Sequence, residues 1–384
     1  MPPELSNLAG RAAEVEPLML LAAVIAIVFG LAVIIVNVKL VLDIAPYAYP
    51  NAKIRSMQSM LLGKRKLEEF AELDLLNISG ALEETEYTET YRALSKNDDI
   101  LSIESTLNRN LRETYVKIAG FVPGDAKTFF ERYLKRFEIE AIKTLLIGVY
   151  AGLPPEEIEK MLVEPYAENL KETTLSSNVP EVVSKLEGSD YGVTLSRTLP
   201  DFESSGSLLS LQHALDVKLY LDLIEVLITR PSLDSSVIKK LLGAEIDITN
   251  IKMVLRCARY GGDVSSYLIP YGHEISTARL AEMGSSADVE RIVNDLEGTP
   301  YHRPLYEALE KYMEDKGRSL QVFEMALDRY YLSLGQSIAT KQPFGLGPIL
   351  GYVVTKSFEI RNLTTIFVLK MEGFSPEEIK KEMV

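Results

Sequence analysis

Apolar residues recur along most of this chain at the spacing of amphipathic helices, and one version of the pattern occurs three times. Glu138 is followed by Ile139, Ile142, Leu145, Leu146 and Val149, and Asp247 by Ile248, Ile251, Val254, Leu255 and Ala258. Glu359-Ile360 opens a third copy. Each is one stripe of a 3.6-residue period. A glycine stands fourteen residues after each acid, at Gly152, Gly261 and Gly373, and the copies lie 109 and 112 residues apart. Glycine at that place reads as a helix stop, because it adopts the left-handed conformation a C′ position needs. Thr106-Leu107-Asn108, Ala214-Leu215-Asp216 and Ala326-Leu327-Asp328 precede the acids by 30, 31 and 31 positions. Pro155-Glu156-Glu157-Ile158 returns as Pro376-Glu377-Glu378-Ile379, and Ser375 with Pro376 predicts a capped helix start. No run of alternating Val, Ile and Thr is long enough for a sheet. The pattern predicts an all-α fold built from three similar helical domains.

The repeat divides the chain into a tail over 1–17, an apolar segment over 18–42, and repeats over 43–165, 166–278 and 279–384. Helices are expected over 51–70, 103–116, 126–150 and 210–229, with short helices and turns over 169–207. Met57, Met60, Leu61 and Leu67 read as core, and the acidic stretch 72–90 as a solvated face or loop. The repeated acids read as solvated or ion-paired packing pins, because such charges are rarely buried unpaired. Arg109, Lys218 and Arg329, just after the upstream motif, are the candidate partners.

Leu18 to Val36 is nineteen residues without a charge, and the run continues to Leu42 broken only by Asn37 and Lys39. That length crosses a hydrocarbon core as a helix. A cleaved signal peptide fits less well: the run is too long, and Glu4, Glu14 and Glu16 face a single Arg11 before it. Lys39, Lys53, Arg55, Lys64, Arg65 and Lys66 follow the segment, so the bulk of the chain is expected on the cytoplasmic side of the cell membrane.

Composition narrows the chemistry. A net charge of −14 argues against a nucleic-acid backbone as partner. Cys257 is the one cysteine, which excludes an internal disulfide and reads as a packing residue. Gly120 to Thr128 lacks the Gly-Lys-Ser/Thr of a phosphate loop, so Gly124-Asp125 reads as a helix start instead. Gly345-Leu346-Gly347-Pro348 lacks the third glycine and the preceding strand of a dinucleotide fingerprint. His213, His273 and His302 match no zinc spacing, and no serine sits in a Gly-x-Ser-x-Gly elbow. No catalytic, cofactor-binding or metal residue is assigned, and no cofactor is expected. Scattered carboxylates leave open a membrane-tethered hydrolase, and the repeat equally suits a membrane-anchored scaffold of another complex.

In an ordered series, the chain resembles the C subunit of archaeal-type rotary ATP synthases, related to the d subunit of vacuolar-type ATPases. The resemblance runs through Asn51-Ala52-Lys53-Ile54-Arg55, Phe137-Glu138-Ile139-Glu140, Asp247-Ile248-Thr249-Asn250-Ile251-Lys252, Gly345-Leu346-Gly347-Pro348-Ile349-Leu350 and Phe358-Glu359-Ile360-Arg361-Asn362-Leu363. It covers about residue 46 to the end. It implies a pseudo-threefold funnel of three helical domains, seated on the proteolipid ring and receiving the central shaft. Its implied role is to carry torque between ion translocation and ATP synthesis or hydrolysis, with no catalytic residues of its own. Familiar members have no spanning helix, so residues 18–42 depart from the pattern.

Overall fold

Three long helices stop at the three repeated glycines in the computed structural model, with φ of 69° at Gly152, 84° at Gly261 and 86° at Gly373. Leu153 N–H reaches back to the Gly148 carbonyl at 3.0 Å, and Phe374 N–H to that of Leu369 at 2.9 Å, closing the last turns. Residues 21–22, 24–35, 38, 41–42, 44–83, 85–88, 100–229, 235–286, 288–315 and 319–384 are described. Among them every regular element is helical.

Chain contacts separate Met1–Tyr49 from Pro50–Val384. In the first unit the described positions of 21–42 are helical, and Ile25, Phe29 and Ile35 are 59, 71 and 66% exposed. The expected spanning helix over 18–42 falls partly outside the described residues. Among those described, no helix is long and apolar enough to cross a membrane.

The helices from Ala48 onward are α1 (Ala48–Gln58), α2 (Lys64–Glu72), α3 (Leu75–Leu82), α4 (Ile100–Phe121), α5 (Gly124–Tyr133) and α6 (Lys135–Tyr150). They continue as α7 (Pro155–Met161), α8 (Tyr166–Thr174), α9 (Val179–Lys185), α10 (Gly192–Ser205), α11 (Leu209–Thr229) and α12 (Ser235–Tyr260). The last are α13 (Thr277–Gly284), α14 (Val289–Asp295), α15 (His302–Glu314), α16 (Gln321–Lys341), α17 (Gly347–Met371) and α18 (Pro376–Glu382).

The single helix expected over 51–70 is broken at Gly63, which caps α2 in an extended conformation. Only Leu67 of the four residues assigned to its core is buried, and Met60 is 50% exposed. The helix expected over 126–150 is two helices, α5 and α6, which meet at Leu134. The acidic stretch 72–90 holds α3 and the fully buried Tyr87 rather than a solvated loop. The short helices over 169–207 are α8 to α10. Ser375 caps α18 in a reciprocal capping box with Glu378, as its sequence predicts.

The cores do not follow the order of the sequence. One runs through residues 248 to 327 without a break in chain order. Another joins Leu67, Phe70, Ile78, Leu82 and Leu107 to Ile360, Leu363, Ile366 and Ile379. The repeated helices explain this: α6 packs on α11, α12 on α16, and α17 on α4. Each acid-bearing helix therefore lies against the Leu-Asp or Leu-Asn helix of the next copy, and the third returns to the first. α16 and α17 pack along one another. A Cβ on Gly351 would lie 2.5 Å from the Ala339 Cβ and 2.8 Å from the Gly335 carbonyl, so glycine is needed there. Asn51 of α1, with its amide oriented to suit its partners, donates to the Gly345 carbonyl at 2.9 Å and accepts from the Gly345 N–H at 3.1 Å. Two parts of the family-like sequence, nearly 300 residues apart, thus meet in one bidentate contact.

Candidate functional site

The repeated acids pair with tyrosines, not with Arg109, Lys218 or Arg329. Tyr191 donates to Glu138 at 2.9 Å, Tyr301 to Asp247 at 3.0 Å, and Tyr87 to Glu359. Lys218 instead pairs with Asp222 at 3.1 Å, and Arg329 donates to the Met383 carbonyl at 3.0 Å. All three tyrosines are at most 1% exposed. Each hydroxyl is held by burial and a facing carboxylate well above its ordinary range.

These tyrosines belong to a second threefold motif, which a reading centred on the acids overlooks. Asp74, Asn178 and Asp288 each cap a short helix and precede the tyrosine by thirteen residues. Between them stand Leu82-Glu83-Glu84-Thr85-Glu86, Leu186-Glu187-Gly188-Ser189-Asp190 and Leu296-Glu297-Gly298-Thr299-Pro300. Thr85, Ser189 and Thr299 each turn a hydroxyl back to that leucine's carbonyl, at 2.8, 2.7 and 2.7 Å. This tight turn aims the tyrosine inward in all three copies. The signal was legible in Leu-Glu-Gly-Ser/Thr-x-Tyr, which occurs twice; only the third copy, with Glu84, is disguised.

Two charge pairs repeat around these clasps, and where one is missing both partners are missing. Three residues before the acid, Lys135 pairs with Asp190 and Lys356 with Glu86, at 2.6 Å for the latter. The second copy has Ala244 and Pro300 at the same two places. Five residues after the acid, Lys143 meets Asp216 at 2.5 Å and Lys252 meets Asp328 at 2.6 Å. The third copy has Thr364 and Asn108 there.

The three clasps differ in burial. Glu138 is half-buried, whereas Asp247 and Glu359 are buried. Asp247 accepts from the His273 and Glu274 N–H groups at 3.0 and 2.7 Å. Glu359 accepts from the Leu62 N–H and lies 3.3 Å from Lys356 Nζ, which is fully buried and also donates to Tyr87 at 2.5 Å. Burial raises both carboxyls above their ordinary range, partly offset by those donors.

Two residues before the acids, Arg136 and Glu245 form an ion pair at 2.8 Å, and Tyr220 and Tyr331 donate to Glu245 at 3.2 and 3.1 Å. Beside them lies a cavity of about 10 Å³ whose lining includes Phe129, Ile238 and Leu350, each nine residues before its acid. One position from each of three copies thus converges on one point. Larger openings are outward grooves: about 1060 Å³ between α15 and α16, and about 770 Å³ between α10 and α11.

Asp247 accepts three hydrogen bonds, from His273, Glu274 and Tyr301, and Glu359 three, from Leu62, Tyr87 and Lys356. Cys257 is buried among the aliphatic residues of its core. Among the described residues no group of three or more His, Cys, Asp or Glu is placed to hold a metal ion.

The profile of the ATP synthase (C/AC39) subunit family matches residues 50–382. The C subunit of the A-type ATP synthase of Methanocaldococcus jannaschii is 34% identical over 377 residues, covering 96% of this chain and 94% of that protein. The C subunit of the A-type ATP synthase of Methanothermobacter thermautotrophicus is 33% identical over 363 residues, covering 93 and 92%. The one from Haloferax volcanii is 29% identical over 342 residues, covering 88% of this chain and 97% of its own length.

Proposed function

This chain belongs to the ATP synthase (C/AC39) subunit family, and from that premise we propose that it is the non-catalytic link between the central shaft and the proteolipid ring of an A-type ATP synthase. In this reading it carries torque between ion translocation and ATP synthesis or hydrolysis. Its partners are ring and shaft subunits, and the helical unit stands on the cytoplasmic side of the membrane. Residues 18–42 act as a spanning helix; they precede the family match, which begins at residue 50.

The observation that carries the reading is the convergence of Phe129, Ile238 and Leu350 on one point. It supports a pseudo-threefold arrangement of the repeats. A torque-bearing part needs stiffness and redundant closure, and close-packed helices in repeated units supply both. The structural unit in this reading runs from one acid helix to the Leu-Asp helix of the next copy. The first unit then begins with Glu138, the second with Asp247, and the third joins Glu359 to Tyr87 and Asn108.

The test is affinity purification of the full tagged chain from membranes solubilised in mild detergent. Ring and shaft subunits are expected in stoichiometric amounts. Recovery of a different membrane complex without them would replace this reading with that of an anchored scaffold.

A further inference from the structure

We propose that the groove lined by α4, α12, α16 and α17 takes up a lysine or arginine of a partner subunit, whose charge pairs with Glu104. The inference rests on the chain being one subunit of an assembly, and not on which subunit meets it.

The repeat shows which charge is missing. Each acid-bearing helix packs on the Leu-Asp or Leu-Asn helix of the next copy. Nine residues after the acids stand Ile147, Arg256 and Val368. Four residues before Asp216, Asp328 and Asn108 stand Gln212, Glu324 and Glu104. The first junction is therefore uncharged on both sides, with Ile147 and Gln212. At the second, Arg256 donates twice to Glu324, at 2.7 and 3.1 Å. At the third the acid is present and the cation is not: Glu104 and Val368 line the same groove. The other repeated pairs lose both charges together, at Ala244 with Pro300 and at Thr364 with Asn108. Glu104 is the one half of these pairs that stands without its mate.

Nothing else in the groove takes the place of that cation. Among the described residues none donates to Glu104, and burial alone raises its carboxyl above the ordinary range. Arg256 is held by Glu324 and Arg361 by Asp328, and the Lys381 charge acts on Glu378. Four carboxylates line the groove, Glu104, Glu324, Glu378 and Glu382, against those three cations. One acid is in excess, and one added cation would balance it.

The shape suits a side chain carried on a protein segment. The groove holds about 840 Å³, far more than a bare ion fills. Tyr260 and Phe374 also line it and are 75 and 45% exposed. Their rings can cover the aliphatic stem of a long basic side chain while its head reaches the carboxylate. Arg256 with Glu324 is the same contact made within the chain.

The test uses the tagged full chain in its complex, with the photocrosslinker p-benzoylphenylalanine in place of Phe374. Illumination is expected to join it to another subunit, at a peptide with a Lys or Arg within one helical turn of the attachment. In Glu104→Gln that subunit should leave the immobilised complex about tenfold faster, because losing one charge of a pair acts mainly on dissociation. The thermal midpoint of the chain alone should not move. Val368→Arg copies Arg256 and should satisfy Glu104 from within, so it too should speed release. Crosslinks confined to the chain itself, or to a peptide without Lys or Arg, would overturn the proposal and leave the chain a subunit of its complex. So would unchanged release in Glu104→Gln, and a lowered midpoint beside it would give Glu104 a structural role instead. A chain recovered without any other subunit would overturn its place in an assembly and this proposal with it.

Discussion

The clasp at Asp247 and the clasp at Glu359 use the same tyrosine geometry and solve burial in different ways. Asp247 and Tyr301 lie 54 residues apart in a continuous stretch, and two backbone N–H groups hold the carboxylate. Glu359 and Tyr87 are 272 residues apart, and a fully buried lysine stands between them. A loop already tethered on both sides can present its amides in place. Strands of chain brought together from distant parts of the sequence have no such preset frame. There a fixed cation, satisfied by Glu86, Tyr87 and Glu359 together, makes the correct pairing the one that leaves no buried charge alone.

The sharpest way to break this comparison is Lys356→Met. It should cost about 3–5 kcal/mol in denaturant unfolding of the full chain, because Glu359 and Glu86 lose their cation. Lys135→Met, at the corresponding position beside the 65% exposed Asp190, should cost about 0–1 kcal/mol. Equal costs would mean that the third clasp is not special.

Ile379→Ala comes next, with an expected loss of about 2–4 kcal/mol for a side chain with no exposure. Its location is more telling than its size: hydrogen-exchange protection should fall across α2 and α3 as well as α17. Loss confined to residues 360–384 would show that the early and late segments are not one cooperative unit.

Tyr301→Phe should cost about 1–3 kcal/mol, since it removes a donor from a buried carboxylate. Tyr191→Phe should cost less, because water reaches the half-buried Glu138. The smallest effect is on pH dependence. The folded chain holds the Asp247 proton more tightly than the unfolded chain does, because burial raises this carboxyl. This group therefore favours the fold in acid, and its contribution is lost as pH rises through that raised value. In Asp247→Asn, the midpoint of thermal unfolding should vary less with pH above about pH 4 than in the parent. An unchanged profile would show that Asp247 titrates as it does in the unfolded chain.

The helical stripes, the stop glycines and the Ser375 cap were legible in the sequence, because each depends on neighbours within a turn or two. The pairing of the copies was not. A repeat has a period but no marked origin, so spacing alone cannot tell whether Asp216 belongs with Asp247 ahead of it or with Glu138 behind it. The packing of α6 on α11 and the Lys143–Asp216 contact decide it. The tyrosines were hidden for another reason. Tyr87 sits among Glu83, Glu84 and Glu86, so its surroundings read as solvated while the turn at Thr85 points its ring inward.

The joint absence of charge at Ala244 and Pro300 has a consequence beyond stability. One polypeptide holds the same pair of positions in charged form twice and in neutral form once, each beside an intact tyrosine–carboxylate bond. The neutral copy differs from each charged one by what a double substitution would do, within one chain. Ala244→Lys alone and Pro300→Glu alone would each create the missing intermediates. Together they would show whether a third charged pair can be added to a frame that has held without it.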